Sequence, residues 1–337
     1  LLQHGTFSLA DEIKKVIHCF SKQTNNNMSE QLIFKRSCKL MGNHFELTVV
    51  SDSEKWANEK IEAGIDEIKR IEKLLTTFSE DSETNQVNKN AGIMPVTVSR
   101  ETFNLIQRSI RISEVTQGAF DITYGSIDKR LWNFDQSMTS LPDKATAKKM
   151  VRLINFRNIV LDEEKCTVFL REEGMRIGFG GIGKGYAAER ARQVMKEQGV
   201  ESGVVNASGD LNAWGIQPNG KKWTVGIANP DSAQEIFSYM TISDLAVATS
   251  GNYEKFVMIN GKKYSHTINP RTGLPVTGIK SVTIITTNAE IADAMATPVM
   301  IMGINTGLDL INQMKDIEAV IIDDDNKLYT SKNINLT

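Results

Sequence analysis

The sequence predicts an α+β fold, with mixed, largely antiparallel sheets packed against long helices. Two observations carry that expectation. Apolar residues recur at helical spacing in a few well-separated stretches, and strand-like runs mostly come in neighbouring pairs joined by turn signals. Strands that pair with their chain neighbours favour hairpins over the strand–helix–strand alternation of a doubly wound parallel sheet. At 337 residues, 40% apolar and 24% charged, the chain can bury one large core or two small ones.

Residues 1–28 read as a leader or tether, set apart from a folded remainder at 29–337. Positions 1–17 lack the apolar core of a signal segment, and Ser21-Lys-Gln-Thr-Asn-Asn-Asn27 is polar throughout. Cys19, just ahead of that polar run, has the placement of a lipoprotein anchor without the apolar segment that should precede it. The folded part opens with an expected hairpin, 31–40 and 44–50, around the Met41-Gly-Asn43 turn. Ser51-x-x-Glu54 reads as a capping box for a long helix whose inward stripe is Ile61, Ile65, Ile68, Ile71 and Leu75. A polar loop over 78–85 follows, then a helix over 100–117 with Phe103, Ile106 and Ile110 inward and Gly118 as its stop.

Gly118-Ala-Phe-Asp-Ile-Thr-Tyr-Gly125 is a loop holding one acid, Asp121, and a short helix after Pro142 ends near Leu153. From Asn158 strands dominate. A hairpin pairs 158–162 with 166–170, and an apolar strand over 175–179 leads through glycines into a helix that reaches Gln198. Further strands are expected at 203–206, 211–216, 223–228, 236–242, 245–249, 256–259, 263–268 and 281–286. A helix from Asn288 continues past Pro298, another covers 306–315, and a hairpin over 318–330 turns through Asp323-Asp-Asp-Asn326.

Composition narrows the function. A net charge of −2 gives no general attraction for nucleic acid or an anionic membrane, so an anionic ligand has to be neutralised locally. Cys19, Cys38 and Cys166 are too far apart for a disulfide framework or a zinc site, and four histidines argue against a multi-histidine centre. A hard cation held by oxygens remains open. No apolar run is long enough to span a bilayer.

Three stretches carry chemistry. Gly178-Phe-Gly-Gly-Ile-Gly-Lys-Gly-Tyr-Ala-Ala-Glu189 is a nearly bare loop opening a helix, with Lys184 at its start, which suits a phosphate. It meets two nucleotide patterns incompletely. As Gly178-x-Gly180-x-x-Gly183 it lacks the acid at the end of the next strand, and as a P-loop it has Gly185 where a hydroxyl should hold magnesium. In Ala292-Asp-Ala-Met-Ala-Thr-Pro298, Asp293 and Thr297 share one helix face with small residues between them. A carboxylate and a hydroxyl so placed suit magnesium; the alternative is that Asp293 caps a neighbouring element and Thr297 packs. His266, in Lys263-Tyr-Ser-His-Thr-Ile-Asn-Pro-Arg-Thr-Gly273, is the only histidine in the last two-thirds of the chain and could act as a base or phosphate donor.

Taken in order, Met41-Gly-Asn, Phe78-Ser-Glu-Asp-Ser-Glu, the 118–125 loop, Gly180-Gly-Ile-Gly-Lys-Gly-Tyr-Ala, Ser265-His-Thr-Ile-Asn-Pro-Arg-Thr-Gly and Ala292-Asp-Ala-Met-Ala-Thr resemble the ApbE-type FAD:protein FMN transferases over about residues 30–330. The resemblance implies an α+β fold with a central FAD cleft. It implies a Mg²⁺-dependent enzyme that attaches FMN from FAD to a threonine of a partner protein through a phosphoester, releasing AMP. Respiratory flavoprotein subunits are partners of this kind. The alternatives are an FAD pyrophosphatase or a flavin-binding protein without turnover. The acceptor signature of the family is absent, so self-modification is not expected. The magnesium ligands would be the Gly181 carbonyl, Asp293 and Thr297, and FAD contacts would fall on Met41, Phe78, Ala119, Phe120, Asp121, Lys184 and Thr267. His266, with Asp293, would be catalytic. Two departures stand out: Gly178 replaces a common aspartate, and Phe78 a common tyrosine. The expected location is the bacterial periplasm, membrane-associated through an anchor not intact in this sequence, with the cytoplasm as the alternative.

Overall fold

The computed structural model describes residues 30–130, 139–229, 232–252, 256–265 and 267–334. The expected tether and Cys19 lie outside these residues. The first strands, β1 (Leu32–Leu40) and β2 (Asn43–Ser51), pair antiparallel from Leu32↔Ser51 to Leu40↔Asn43. Their turn places Met41 at φ 50 and Gly42 at φ 73, the mirror-image turn that suits twisted hairpins. Helix α1 (Glu54–Leu75) follows, and all five residues of its stripe are buried. Its cap is Ser53, not the expected Ser51: Ser53 accepts from the Trp56 N–H, while the Ser51 hydroxyl accepts from Ser53. The cap therefore sits at the last residue before the helical backbone begins.

The loop expected over 78–85 is cut short by a seven-residue helix, α2 (Glu83–Lys89), capped by Ser82. Helix α3 (Arg100–Val115) ends as expected near Gly118, after Gln117 has turned to φ 54. A 3-10 turn over Ile122–Ser126 and helix α4 (Lys144–Met150) lead to a small sheet of β3 (Val96–Thr97), β5 (Thr167–Leu170) and β4 (Ile159–Asp162).

The expected strand over 175–179 is not one. The chain there joins no ladder, and its backbone groups bond to side chains and loop atoms. The Ile177 N–H donates to Asn88 Oδ1 at 2.7 Å, the Arg176 N–H to the Ser126 hydroxyl at 2.8 Å, and the Gly178 N–H to the Ile122 carbonyl at 2.8 Å. An apolar run reads as a strand because it is buried, yet burial needs only satisfied polar groups, not a ladder.

Helix α5 (Gly183–Glu197) enters the main sheet through β6 (Gly203–Ala207) and β7 (Asp210–Trp214). The strands β8 (Trp223–Asn229), β9 (Ser232–Ile242), β10 (Leu245–Gly251), β11 (Phe256–Ile259) and β12 (Lys262–Ser265) follow. The chain closes with β13 (Ile279–Thr286), α6 (Ala289–Met302), α7 (Ile304–Ile311), β14 (Ile317–Asp323) and β15 (Leu328–Thr330). Expected strand 263–268 ends early, and Ile268 instead bridges Pro275.

Eight strands form the main sheet, in the order β1-β2-β6-β7-β10-β13-β14-β15, and each pairing is antiparallel. Alternation divides its faces. Leu47, Val205, Ala246, Ala248, Ile284 and Ile321 join the core under α1, α5 and α6. Val247, Ile285 and Val320 face the opposite way, with Trp223 and Ile242 of β8 and β9. Small residues let the layers close. A Cβ on Gly64 of α1 would lie 2.7 Å from Leu47 Cδ2, so α1 rests directly on β2.

Candidate active site

The glycine stretch is held from both sides. Upstream, the bonds to Asn88, Ser126 and Ile122 fix its entry. Downstream, α5 crosses α6 so closely that a Cβ at Gly185 would lie 2.2 Å from the Ala289 carbonyl oxygen and 2.6 Å from Asp293 Cβ. Only glycine permits that approach. It puts the Asp293 carboxylate against the first turn of α5, where Oδ2 accepts the Gly185 N–H at 2.9 Å. Ile182, the α5 cap residue, contributes no side-chain cap bond, so an acid from another helix takes that place.

A second acid faces the first. Asp210, itself buried, opens β7 beside the Asn206–Gly209 turn and forms an ion pair with the half-buried Lys184. Burial pushes the Asp293 carboxyl up to about 7, and the Asp210 carboxylate adds to the rise, while Lys184 and the α5 N–H groups oppose it. One turn further along α6, the Thr297 hydroxyl lies 2.9 Å from Ser250 Oγ on β10. The helix continues through Pro298, as expected.

Thr297 and Gly181 line a cleft of about 550 Å³, together with Phe78, Ala119, Phe120, Asp121, Gly178 and Thr267. The two aromatic side chains differ. Phe120 is buried, whereas Phe78 is 98% exposed at the rim. Asp121 caps the 3-10 turn: Oδ1 accepts from the Thr123 N–H and hydroxyl, and Oδ2 from the Phe156 N–H. Burial raises its carboxyl above the usual range, against these donors and Arg157. At Gly178 a Cβ would meet only Thr77 Cγ2, at 3.8 Å, so the absent aspartate leaves open space in the cleft.

The structure thus gathers Phe78, Ala119, Phe120, Asp121, Gly181, Thr267 and Thr297 around one cleft. Asp293 and Lys184 are not among its lining residues; they sit behind it at the α5–α6 junction. Met41 does not line it either; its Cε lies 3.6 Å from the Cβ position of Gly183. His266 lies outside the described residues. Sequence reasoning missed Asp210 and Ser250 as partners, and Tyr124, Lys129 and Arg176 as further lining residues. The acid after Ser208-Gly209 was visible, but its pairing with Lys184 depends on how a hairpin meets a helix.

The ApbE family model matches residues 41–321. The chain belongs to the ApbE family. A relative from Klebsiella pneumoniae named FAD:protein FMN transferase is 34% identical over 297 residues, covering 88% of this chain and 90% of the relative. A protein of the same name from Treponema pallidum is 29% identical, covering 82% and 81%. Among solved structures, the ApbE protein from Thermotoga maritima matches with a TM-score of 0.80 at 27% identity, covering 89% of this chain and 97% of the other. The flavin transferase ApbE from Vibrio cholerae, at 24% identity and a TM-score of 0.76, has the same fold. The mixed α+β architecture is the one expected from sequence.

Proposed function

We propose that this ApbE-family chain is an FAD:protein FMN transferase that moves FMN from FAD onto a threonine hydroxyl of a partner protein, through a phosphoester, with AMP leaving. The observation that carries the reading is the junction of the glycine loop with α6, where Gly181 and Thr297 reach the cleft from opposite elements. The cleft has the size of a cofactor site, and Phe78 and Phe120 offer aromatic surface to a flavin or adenine.

The residues fit a hard cation. Asp293 is a buried carboxylate opposed by a second one, an arrangement that favours positive charge, and Thr297 and the Gly181 carbonyl add neutral oxygens. Magnesium bound there would supply charge neutralisation for the diphosphate and the departing AMP. Lys184, held by Asp210, keeps a positive charge at the start of α5, where backbone N–H groups also favour an anion. The walls of the cleft orient FAD and limit water at the phosphorus. His266 is assigned, from its sequence position, as acceptor of the threonine proton. The acceptor is a protein, and a periplasmic, membrane-tethered setting belongs to the proposal on family resemblance alone.

Mass spectrometry of a candidate acceptor incubated with the enzyme, FAD and Mg²⁺ tests the reading. A gain matching FMN, with AMP released, is expected. AMP without a protein adduct would make the chain an FAD hydrolase, and neither product would sink the reading. His266→Ala should lower transfer by about a hundredfold with FAD binding intact.

A further inference from the structure

A second hollow, of about 310 Å³, lies behind the 117–121 loop and is ringed by Lys148, Arg152, Arg157 and Arg271. Its one acid is Asp121, both of whose oxygens are already taken by protein donors. In a chain of net charge −2 this is a local excess of positive charge. The fold builds it deliberately from distant segments. Gly273, at φ +72, packs so tightly on α4 that a Cβ there would lie 2.1 Å from the Ala147 carbonyl oxygen. That contact sets Arg271 beside Lys148. The Arg271 guanidinium is steadied by the Gln117 carbonyl, and Arg157 stacks over Phe156 at 4.5 Å. Arg152 pairs with Glu172 at 3.0 Å, but among the described residues Lys148 and Arg157 make no ion pair.

The hollow adjoins the cleft. Asp121 belongs to both walls, and a smaller hollow shares Ala119 and Ile301 with the cleft and Gln117 and Arg271 with the basic hollow. A trough therefore wraps the 117–121 loop. The basic hollow itself offers no open aromatic face for a base, because Phe156 is buried and covered by Arg157. A reaction with two substrates needs a place for the polypeptide next to the one for FAD.

We propose that this trough docks the acceptor polypeptide, and that the basic hollow takes acidic side chains a few residues from the target threonine. The inference rests on the protein-acceptor reading above. An extended chain advances about 3.3 Å per residue, so a short segment runs from the cleft into the hollow. Charge complementarity at such a site speeds encounter and discriminates an acidic segment from an uncharged one.

The test uses two short fluorescent threonine peptides, one with Asp and Glu flanking the threonine and one with Asn and Gln instead. Anisotropy with the full chain and FAD measures binding, and AMP release from FAD alone is followed in parallel. The acidic peptide should bind more tightly than the amide peptide, with affinity falling as salt rises. The double variant Lys148→Glu/Arg152→Gln should weaken the acidic peptide about tenfold and leave the amide peptide and AMP release unchanged. Lys148→Glu alone, on an exposed helix face, gives a smaller loss in the same direction if the double variant does not fold. Equal binding of the two peptides overturns the proposal, as does a variant that binds the acidic peptide like the parent, or displacement of that peptide by AMP or inorganic phosphate. Failure to release AMP while the peptide preference persists would count against the FAD reading instead.

Discussion

Asp293 and Asp121 are two acids whose carboxyls burial pushes upward, yet their surroundings differ. Asp121 is fully engaged: the Thr123 N–H and hydroxyl hold one oxygen and the Phe156 N–H the other. It ties the 3-10 turn to the segment after α4. Asp293 has the start of α5 on one side and a second carboxylate, Asp210, on the other. A buried acid surrounded by donors is a brace, and its charge is balanced within the fold. One opposed by another acid holds charge that the fold alone balances only in part, through Lys184. That contrast suits the cation-binding role proposed for Asp293 and makes Asp121 first an architectural residue.

Removing each acid should separate the roles. Asp293→Ala should abolish Mg²⁺-dependent AMP release, by about a thousandfold, while costing only about 1 kcal/mol of stability from the lost α5 cap. Activity that stays unchanged across a magnesium titration would break the contrast. Asp121→Ala should do the reverse, destabilising the chain by about 2 kcal/mol because three donors lose their acceptor; urea melts measure it. Phe78→Ala should weaken FAD about fivefold with no change in melting, since the ring is 98% exposed and packs on nothing in the core.

A further effect is on pH. Asp293 has its folded-state value raised from 3.8 to about 7. Between these values the native state holds a proton that the unfolded chain has lost, so its contribution to the stability of cation-free protein falls as pH rises through that window and levels off above it. Asp293→Asn should flatten this slope. Because a cation needs the ionised carboxylate, magnesium affinity should strengthen as pH rises toward and past 7, which calorimetry can follow.

Much of the fold was legible. The Ile61-to-Leu75 stripe, the Met41-Gly42 turn and the late helix through Pro298 follow local rules of period, turn and cap, and the structure keeps them. The failures were also local in origin. Ser51-x-x-Glu54 matched a capping box two residues early, and α2 hid in a polar stretch because its residues are weak apolar signals. The 175–179 run looked like a strand because sequence shows burial and cannot show which groups satisfy the backbone.

For the site, the sequence by itself determined the parts: a bare loop ending at Lys184, oxygens at Asp293 and Thr297 spaced to share a helix face, and six motifs in family order. Chemistry fixed to residue type and spacing survives in one dimension. Only the tertiary structure decided the distances between segments. It set Asp293 on the start of α5 through Gly185, paired Lys184 with Asp210, and brought Lys148 and Arg271 to one hollow through Gly273. Those contacts join residues far apart in the chain, and close packing of helices and turns, not local propensity, determines where they meet.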